Sequence, residues 1–351
     1  MKIWIATGGT GGHVFPALAV ASELSRRGHH IIISTDRRVR DMVKKNKPER
    51  AGIAHVWAGG VGGKSKLQQA AALFKIGMSA AALTLRFMIF RPDRVVSFGG
   101  YASVPAVLAA HVWKVPTFLH EQNAAIGRAN KFALKWVGVL MTGFPAVAGM
   151  NDARGLRIVY TGLPVRKEFV PKPPAKNKSP RILVTGGSLG AAILDEIVPS
   201  SISHLPSSLK RKLFVVHQTR PDAVAKLQKF YADSGIRANV VSFIHDMAGE
   251  MNAADLVIGR SGASTVVELQ TIGRPAILVP LNINPDQAAN AESFAGLGAG
   301  FAVPQEKFTA KWLAASLTEL FENPARLAKM AEKARVPNDA VKKIVKELIG
   351  D

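Results

Sequence analysis

The chain has 351 residues, with 46 Lys and Arg against 25 Asp and Glu, which gives a formal net charge of +21. This length predicts two domains, and the positive charge predicts an anionic partner. The chain contains no cysteine, which excludes disulfides, thiolate metal sites and cysteine nucleophiles. The opening residues MKIWIATGG indicate a strand that enters a glycine loop, without the apolar segment of an export signal, so no export is expected.

The first half alternates predicted strands with helices. The sequence IWIATGGTGG at residues 3–12 predicts a strand and a glycine loop, and a helical pattern runs from Phe15 to Arg26. Such a loop lets backbone N–H groups approach a phosphate at the positive end of the helix, although a plain turn is the alternative. It is not a dinucleotide fingerprint, because Val14 stands where a third Gly or Ala is required. Further strands are predicted at His30–Ser34, Val95–Phe98, Thr117–His120 and Val139–Thr142.

The longest predicted helix runs from Leu67 to Phe90 and has two apolar stripes. One stripe contains Leu67, Ala71, Phe74, Met78, Ala81, Leu85 and Met88, and the other contains Leu73, Ile76, Ala80, Leu83, Phe87 and Phe90. One stripe would face the core, and the other, among basic residues, would contact an anionic membrane surface. The residues assigned to this contact are Leu73, Ile76, Leu83, Phe87, Lys75 and Arg86. A helix buried on both faces is the alternative, and a helix that spans the membrane is not expected.

The second half repeats the opening of the first. After a proline-rich linker at Pro171–Pro180, residues 182–190 read ILVTGGSLG, and a helix is predicted at Ala191–Val198. The repeat predicts an α/β fold of two doubly wound, Rossmann-like domains that face each other across a cleft. Ligands of such sheets bind at the carboxyl ends of the strands. Further strands are predicted at Leu213–His217, Val240–Phe243, Asp255–Ile258 and Ala276–Pro280.

The segment from Asp255 to Pro280 is the strongest candidate for a nucleotide site. A strand ends at Gly259, and Ser264 or Thr265 is expected to cap a helix that carries Glu268. The helix start offers N–H groups to a diphosphate, Arg260 adds charge, and the Glu268 carboxylate can accept the hydroxyls of a ribose. The alternative is a capping box in which Glu268 satisfies only backbone groups.

Other motifs are weaker. The sequence Gly186–Gly190 matches a nucleophile elbow, but the first copy of the loop lacks a serine in that register. Ser188 is therefore expected to donate a hydrogen bond to a phosphate. The segment AGGVGGKS at Ala58–Ser65 resembles a P-loop without a convincing magnesium partner. The His120-Glu121 pair lacks the second histidine of a zinc motif. Neither a protein-bound metal nor a cofactor is expected.

Taken together, these motifs resemble the MurG family, the N-acetylglucosamine transferases of peptidoglycan synthesis. The residues that carry the resemblance are TGGTGGHVFPALA, Gly99–Tyr101, His120–Asn123, Gly162–Arg166, Gly186–Ala191, Gly259–Glu268, Gln287 and Asn290. It implies the glycosyltransferase B fold, with an acceptor domain at 1–163 joined by a helix at 340–351 and a donor domain at 164–339. The sequence departs from the family pattern at Leu163, at Leu189 and at the Gly62–Ser65 tip, which lacks an Arg.

The resemblance implies an inverting transfer of N-acetylglucosamine from UDP-N-acetylglucosamine to lipid I at the cytoplasmic face of the membrane, with the protein bound peripherally. It assigns His13 as the general base, with Glu121 as the competing candidate. Arg260 is expected to stabilise the negative charge on the leaving UDP. Acceptor binding falls to Gly9, Thr10, Gly11, Gly12, His13 and Tyr101. Donor binding falls to Thr10, Gly11, Gly12, Asn123, Arg166, Ser188, Ile244, Ala263, Ser264, Thr265, Val266, Val267, Glu268 and Gln287.

Three other functions would fit parts of this pattern. A UDP-N-acetylglucosamine epimerase or another UDP-sugar transferase of the same fold would need no lipid acceptor, which leaves the apolar helix unexplained. A non-catalytic two-lobed binding protein is expected to carry an export signal. Nucleic-acid binding would account for the charge, but aromatic residues are sparse, so no nucleic-acid partner is expected.

Overall fold

The computed structural model describes residues 1–59, 65–153, 155–172, 179–187, 190–283 and 285–350. It divides into two compact units. Unit 1 comprises Met1–Arg166 and Asn338–Asp351, and unit 2 comprises Lys167–Pro337. Most of the predicted linker, residues 173–178, lies outside the described residues.

Unit 1 is built on a seven-stranded parallel sheet with the order β3-β2-β1-β4-β5-β6-β7. The order reverses between β1 and β4, and the crevice at such a switch point is where ligands of doubly wound sheets bind. The strands are Lys2–Ala6 (β1), His30–Thr35 (β2), Gly52–His55 (β3), Arg94–Ser97 (β4), Thr117–Glu121 (β5), Val139–Thr142 (β6) and Arg157–Tyr160 (β7).

Helices cover both faces of this sheet. The core on one face joins Ile3 and Ile5 of β1 to α1 and to the C-terminal helix, and the core on the other joins Trp4 to Phe87 of α3. The helices of unit 1 are Gly11–Arg26 (α1), Arg40–Asn46 (α2), Lys66–Ile89 (α3), Val104–Val112 (α4), Arg128–Ala133 (α5) and Ala340–Ile349 (α14).

Unit 2 repeats this plan with a six-stranded parallel sheet of order β10-β9-β8-β11-β12-β13, so its switch point lies between β8 and β11. Its strands are Arg181–Thr185 (β8), Phe214–Gln218 (β9), Arg237–Val241 (β10), Leu256–Gly259 (β11), Ala276–Leu278 (β12) and Gly300–Ala302 (β13). Its helices are Ala192–Ser203 (α6), Ser207–Lys210 (α7), Val224–Asp233 (α8), Met247–Ala253 (α9), Ala263–Ile272 (α10), Pro285–Gly296 (α11), Ala310–Glu322 (α12) and Pro324–Ala334 (α13).

The two apolar stripes of helix α3 have the opposite roles to those expected. The side chains of Ile76, Leu83 and Phe87 are 5%, 4% and 0% exposed, because this stripe packs on the core of unit 1. Their assignment as membrane contacts is therefore wrong. The outward stripe is the other one, where Phe74 is 69% exposed and Leu85 66%. Leu73, Lys75 and Arg86 are exposed beside it, as expected.

Among the described residues, α3 is the one helix whose length and apolar composition would suffice to cross a membrane. It also has specific partners within unit 1. Ser79 Oγ accepts a hydrogen bond from Trp57 N at 2.7 Å and donates to Trp57 O at 3.0 Å. The side chain of Ser65 caps its N-terminus in a capping box with Gln68. One face of α3 is thus part of the folded unit.

Candidate functional site

The loops that follow β1 and β4 meet at the switch point of unit 1. Gly100 has φ of +75°, and a Cβ added there would lie 2.9 Å from Gly8 O. A Cβ on Gly8 would lie 2.5 Å from Ala102 Cβ. The two loops therefore touch backbone to backbone, and only glycine allows this approach.

A buried carboxylate holds the first glycine loop in place. Gly9 N donates to Asp36 Oδ2 at 3.1 Å, and Arg38 Nη2 donates to the same oxygen at 2.7 Å. Asp36 comes directly after β2, and its side chain is almost fully buried. Sequence reasoning missed Asp36. The available signal was an acidic residue at the carboxyl end of the strand beside β1.

Helix α1 presents its N-terminus at this loop. Thr10 is the N-cap residue in an extended conformation, and within the described chain its side chain makes no capping hydrogen bond. The first N–H groups of a helix lack intrahelical partners, so those of Gly11 and Gly12 face outwards with the positive end of the helix dipole. This arrangement suits a phosphate. Tyr101, half-buried, follows the Gly99-Gly100 loop.

His13 lies in the first turn of α1 and has a side-chain partner from a neighbouring strand. Its Nδ1 lies within hydrogen-bond distance of Gln122 Oε1. Gln122 is buried and follows β5, and its Nε2 donates to Phe98 O at 2.7 Å. The imidazole itself is half-buried. The sequence placed His13 at the site, but it did not single out Gln122.

Glu121, the competing candidate base, is occupied in ordering a loop. Its carboxylate is buried and accepts hydrogen bonds from Asn123 N at 2.9 Å, Gly127 N at 2.9 Å and Asn130 Nδ2 at 2.8 Å. Asn123 Nδ2 also donates to it, at 3.2 Å. Both carboxylate oxygens are thus engaged by donors of the loop that follows β5. Glu121 therefore orders the loop that carries Asn123, and its role as a competing base stays a prediction.

Helix α10 begins earlier in unit 2 than the sequence suggested. Its N-cap is Gly262, so Ser264 and Thr265 lie within the first turn and do not cap the helix. The expected cap at Ser264 or Thr265 is therefore wrong, and the alternative of a capping box is wrong with it. The helix start at Ala263, Ser264 and Thr265 is partly exposed, and its N–H groups can meet a diphosphate. Glu268, in the second turn, is largely buried.

Two further residues of α10, Val266 and Val267, were expected to bind the sugar-nucleotide donor. The side chains of Val266 and Val267 are buried, and Val266 N donates to Gly262 O at 3.0 Å within the helix. Their side chains belong to the core of unit 2, and their assignment to donor binding stays a prediction. Periodicity could not show this, because it depends on where the helix begins.

Arg260, which the sequence assigned only to charge stabilisation, also has structural partners. Its Nη1 donates to Val279 O at 3.0 Å and to Pro280 O at 3.1 Å, which ties the end of β11 to the end of β12. Burial lowers the pKa of the guanidinium below its usual value, but an Arg keeps its charge in proteins. A cation is thus fixed beside the start of α10.

Helix α11 supports the same loop through Gln287 and Asn290, which both bond to Ser261. Ser261 Oγ donates to Gln287 O at 2.7 Å, and Asn290 Nδ2 donates to Ser261 O at 3.1 Å. The Gln287 side chain accepts from Leu281 N at 3.0 Å. Ser261 and Asn290 are fully buried. Gln287 therefore has a structural partner in addition to the role expected for it.

The other residues expected to bind the sugar-nucleotide donor lie on loops. Ile244 is buried in the loop after β10, next to Phe243, whose ring is exposed and stands edge to face with His245. Arg166 belongs to unit 1, with its guanidinium 5.7 Å from the centre of the Phe15 ring. Ser188 and Leu189 lie outside the described residues. The described parts of the chain contain no cluster of three or more His, Asp or Glu that could hold a metal.

Comparisons with known proteins agree with this architecture. The model for the N-terminal domain of glycosyltransferase family 28 matches residues 3–141, and that for the C-terminal domain matches residues 181–348. A curated relative from Methylorubrum populi, named UDP-N-acetylglucosamine--N-acetylmuramyl-(pentapeptide) pyrophosphoryl-undecaprenol N-acetylglucosamine transferase, is 42% identical over 95% of this chain and 92% of its own length. The chain belongs to the MurG family.

Further comparisons extend this result to the structure. A relative of the same name from Methylorubrum extorquens is 41% identical over 95% of this chain and 92% of its own. The crystal structure of Acinetobacter baumannii MurG matches with a TM-score of 0.81 at 31% identity, covering 100% of both chains. The expected fold class, two parallel α/β domains of the glycosyltransferase B type, and the expected enzyme class, glycosyltransferase, are confirmed.

Proposed function

We propose that this enzyme transfers N-acetylglucosamine from UDP-N-acetylglucosamine to the muramyl 4-hydroxyl of lipid I and so forms lipid II for peptidoglycan synthesis. The observation that carries the proposal is the likeness to transferases named for this reaction, at 42% identity over 95% of the chain. An unrelated UDP-sugar enzyme of the same fold would share the sheets but not this identity. The open helix starts that follow β1 and β11 support the proposal, because helix N-termini bind the phosphate groups that both substrates carry.

Unit 2 is the proposed donor domain. The open start of α10 at Ala263–Thr265 and the fixed Arg260 offer N–H groups and a positive charge to the diphosphate of UDP. Glu268, in the second turn of α10, is assigned to the ribose hydroxyls. The loop at Ile244 is assigned to the uracil, and the exposed Phe243 ring beside it offers a flat apolar surface for a base.

Unit 1 is the proposed acceptor domain. The N–H groups of Gly11 and Gly12 at the start of α1 are assigned to the pyrophosphate of lipid I. The outward stripe of α3 offers Phe74, Met78, Leu85 and Met88 as exposed apolar side chains, with Lys75 and Arg86 beside them. Such a surface fits the cytoplasmic face of an anionic membrane, on which the enzyme would be peripheral.

The chemistry is a single in-line displacement with inversion at the anomeric carbon. The 4-hydroxyl oxygen of the muramyl sugar forms a bond to that carbon, and the bond from the carbon to the β-phosphate oxygen breaks, so that UDP leaves with the electron pair. His13 is the proposed base that takes the hydroxyl proton, a contribution of about 10²- to 10⁴-fold. The negative charge that develops on UDP is stabilised by the α10 start and Arg260.

The test is UDP release from UDP-N-acetylglucosamine with and without a lipid I analogue. Release that depends on the analogue, together with a disaccharide product, is the expected result. Release or epimerisation without an acceptor would overturn the proposal in favour of a UDP-sugar epimerase. Binding of UDP without turnover under any condition would support a binding protein instead.

A further inference from the structure

The geometry around His13 points to Gln122 as the positioning residue for the base. We propose that its amide fixes the imidazole in the tautomer that carries hydrogen on Nδ1 and leaves the Nε2 lone pair for the acceptor hydroxyl. This inference rests on the proposed function of His13 as the general base. Gln122 itself does not contact substrate.

The orientation of the Gln122 amide follows from its partners. One end of the amide lies 2.7 Å from Phe98 O, and a carbonyl oxygen can only accept a hydrogen bond. The end that faces Phe98 must therefore be the nitrogen. The oxygen, Oε1, then faces His13 Nδ1. Because an amide oxygen also only accepts, His13 Nδ1 must carry the hydrogen of this bond.

The tautomer decides which nitrogen can work as the base. A neutral imidazole has one protonated nitrogen and one lone pair. With hydrogen held on Nδ1, the lone pair is on Nε2, away from Gln122. If the other tautomer formed, the lone pair of Nδ1 would face that of Oε1, and the base would be blocked.

The frame around this pair is rigid. Gln122 is buried and follows β5, and Phe98 follows the adjacent β4, so the amide is fixed at the end of two neighbouring strands. A Cβ added to Gly99 would lie 3.3 Å from His13 Nδ1, so the ring rests against a position without a side chain. The imidazole is therefore restrained by the amide and by the Gly99 backbone.

The amide of Gln122 is a neutral partner for the ring. A carboxylate in its place would favour the imidazolium form of the ring. An amide orients the ring without this effect. Three other ionisable groups lie near the ring: Arg38, whose Nη2 lies on the same side of Gly9 as the ring, Asp36, which accepts a hydrogen bond from Arg38, and His120. Burial lowers the pKa of His120 to about 4, so its ring is neutral at pH 7.

The experiment compares Gln122→Glu with Gln122→Leu in the full-length enzyme. With Gln122→Leu we expect kcat to fall about 100-fold, while KM for UDP-N-acetylglucosamine stays within about twofold because the donor residues are unchanged. With Gln122→Glu we expect the acidic limb of the kcat profile to move up by about one pH unit or more, with activity recovered above it. Wild-type kcat in Gln122→Leu, or an unmoved acidic limb in Gln122→Glu, would overturn the inference.

Nitrogen-15 NMR of the His13 ring in the wild-type enzyme tests the tautomer without any assay of activity. We expect a protonated Nδ1 and an unprotonated Nε2 at a pH where the ring is neutral. A protonated Nε2 would overturn the inference even if Gln122→Leu fails to fold. If the wild type shows the expected tautomer but transfers no sugar to lipid I, the proposed function fails, while the tautomer that Gln122 imposes on His13 stands.

Discussion

The imidazole of His120 donates a hydrogen bond from Nε2 to the carbonyl oxygen of Gly162 at 2.9 Å. The ring is fully buried and stacks on Phe98. Burial lowers the pKa of His120 to about 4, since a charged imidazolium would lose its hydration there. His120 therefore acts as a neutral cross-link between the end of β5 and the segment after β7.

This link predicts a loss of stability in acid. In the unfolded chain His120 takes up a proton below about pH 6.5, whereas the folded protein takes it up only near pH 4. The contribution of His120 is thus complete above pH 6.5 and is lost as the pH falls towards 4. Between pH 6.5 and pH 5 the free energy of unfolding should fall by about 2 kcal/mol from this residue alone. Urea denaturation at these two values of pH measures it.

The matched variant is His120→Gln, because the amide nitrogen can still donate to Gly162 O but does not titrate. We expect this variant to lose less stability than the wild type between pH 6.5 and pH 5. Equal losses in the two proteins would show that His120 does not couple folding to pH.

Two glycines with similar φ angles allow the cost of backbone strain to be distinguished from a loss of activity. Gly100 and Gly28 both have positive φ, +75° and +83°, so alanine costs about 1–2 kcal/mol of stability at either position. Gly28 has open space around a Cβ, whereas a Cβ on Gly100 would meet Gly8 O at 2.9 Å. Gly100→Ala should therefore displace the glycine loop and reduce kcat/KM at least about tenfold. Gly28→Ala should leave kcat/KM unchanged. Transfer assays with thermal melting compare the two, and equal activities would contradict a close loop contact.

The outward stripe of α3 predicts how membrane binding can be removed. Each large apolar side chain contributes about 1.5–3 kcal/mol when it leaves water, so Phe74→Ser with Leu85→Ser should weaken binding to anionic vesicles by at least about tenfold. Vesicle sedimentation measures this. Leu297→Ser, which changes an exposed leucine of unit 2, is the control. An equal loss in the control, or none in the double variant, would exclude α3 as the membrane contact.

The buried stripe predicts the opposite behaviour. Phe87 is fully buried against Trp4, with the ring centres 4.9 Å apart. Phe87→Ala should lower the free energy of unfolding by about 3–5 kcal/mol. The folded fraction should still bind vesicles, because the outward stripe is intact.

The role of Glu268 predicts a change in donor affinity. If its carboxylate accepts the ribose hydroxyls, Glu268→Gln removes a charge-assisted hydrogen bond of about 1.5–3 kcal/mol. KM for UDP-N-acetylglucosamine should rise about 10- to 100-fold, with kcat within about twofold, because the ribose is remote from the reacting carbon. Glu292→Gln, an exposed change on α11, should leave both parameters unaltered. A fall in kcat with unchanged KM would contradict the ribose assignment.

Much of the fold could be predicted because strand, glycine loop and helix recur as one unit. The buried strands β1, β4, β5, β8 and β11 are short apolar runs that end in glycine or polar residues, and this pattern is typical of parallel sheets. Three other strands, β3, β7 and β13, were missed. They are only three or four residues long and less deeply buried, so their side chains carry a weak signal.

The site was predicted less completely, since several of its roles depend on distant partners. Periodicity showed that α3 has two apolar stripes but not which of them packs on Trp4. The sequence showed Glu121 and Arg260 at suitable places, but not the backbone groups that engage them. Gln122 acts through Phe98 and His13, which are 24 and 109 residues away in sequence. Such contacts exist only once the sheet has formed.

The position of α14 has a consequence for how the chain folds during synthesis. Ile344, Val345 and Leu348 are fully buried in the same core as Ile3 and Val14. A ribosome therefore delivers the whole of unit 2 before the hydrophobic centre of unit 1 can close. The N-terminal half of the nascent chain, including the apolar helix α3, therefore leaves the exit tunnel before its core can be completed by those residues. A stop codon shortly before Ala340 should therefore destabilise unit 1, although unit 1 is mostly encoded by the start of the gene.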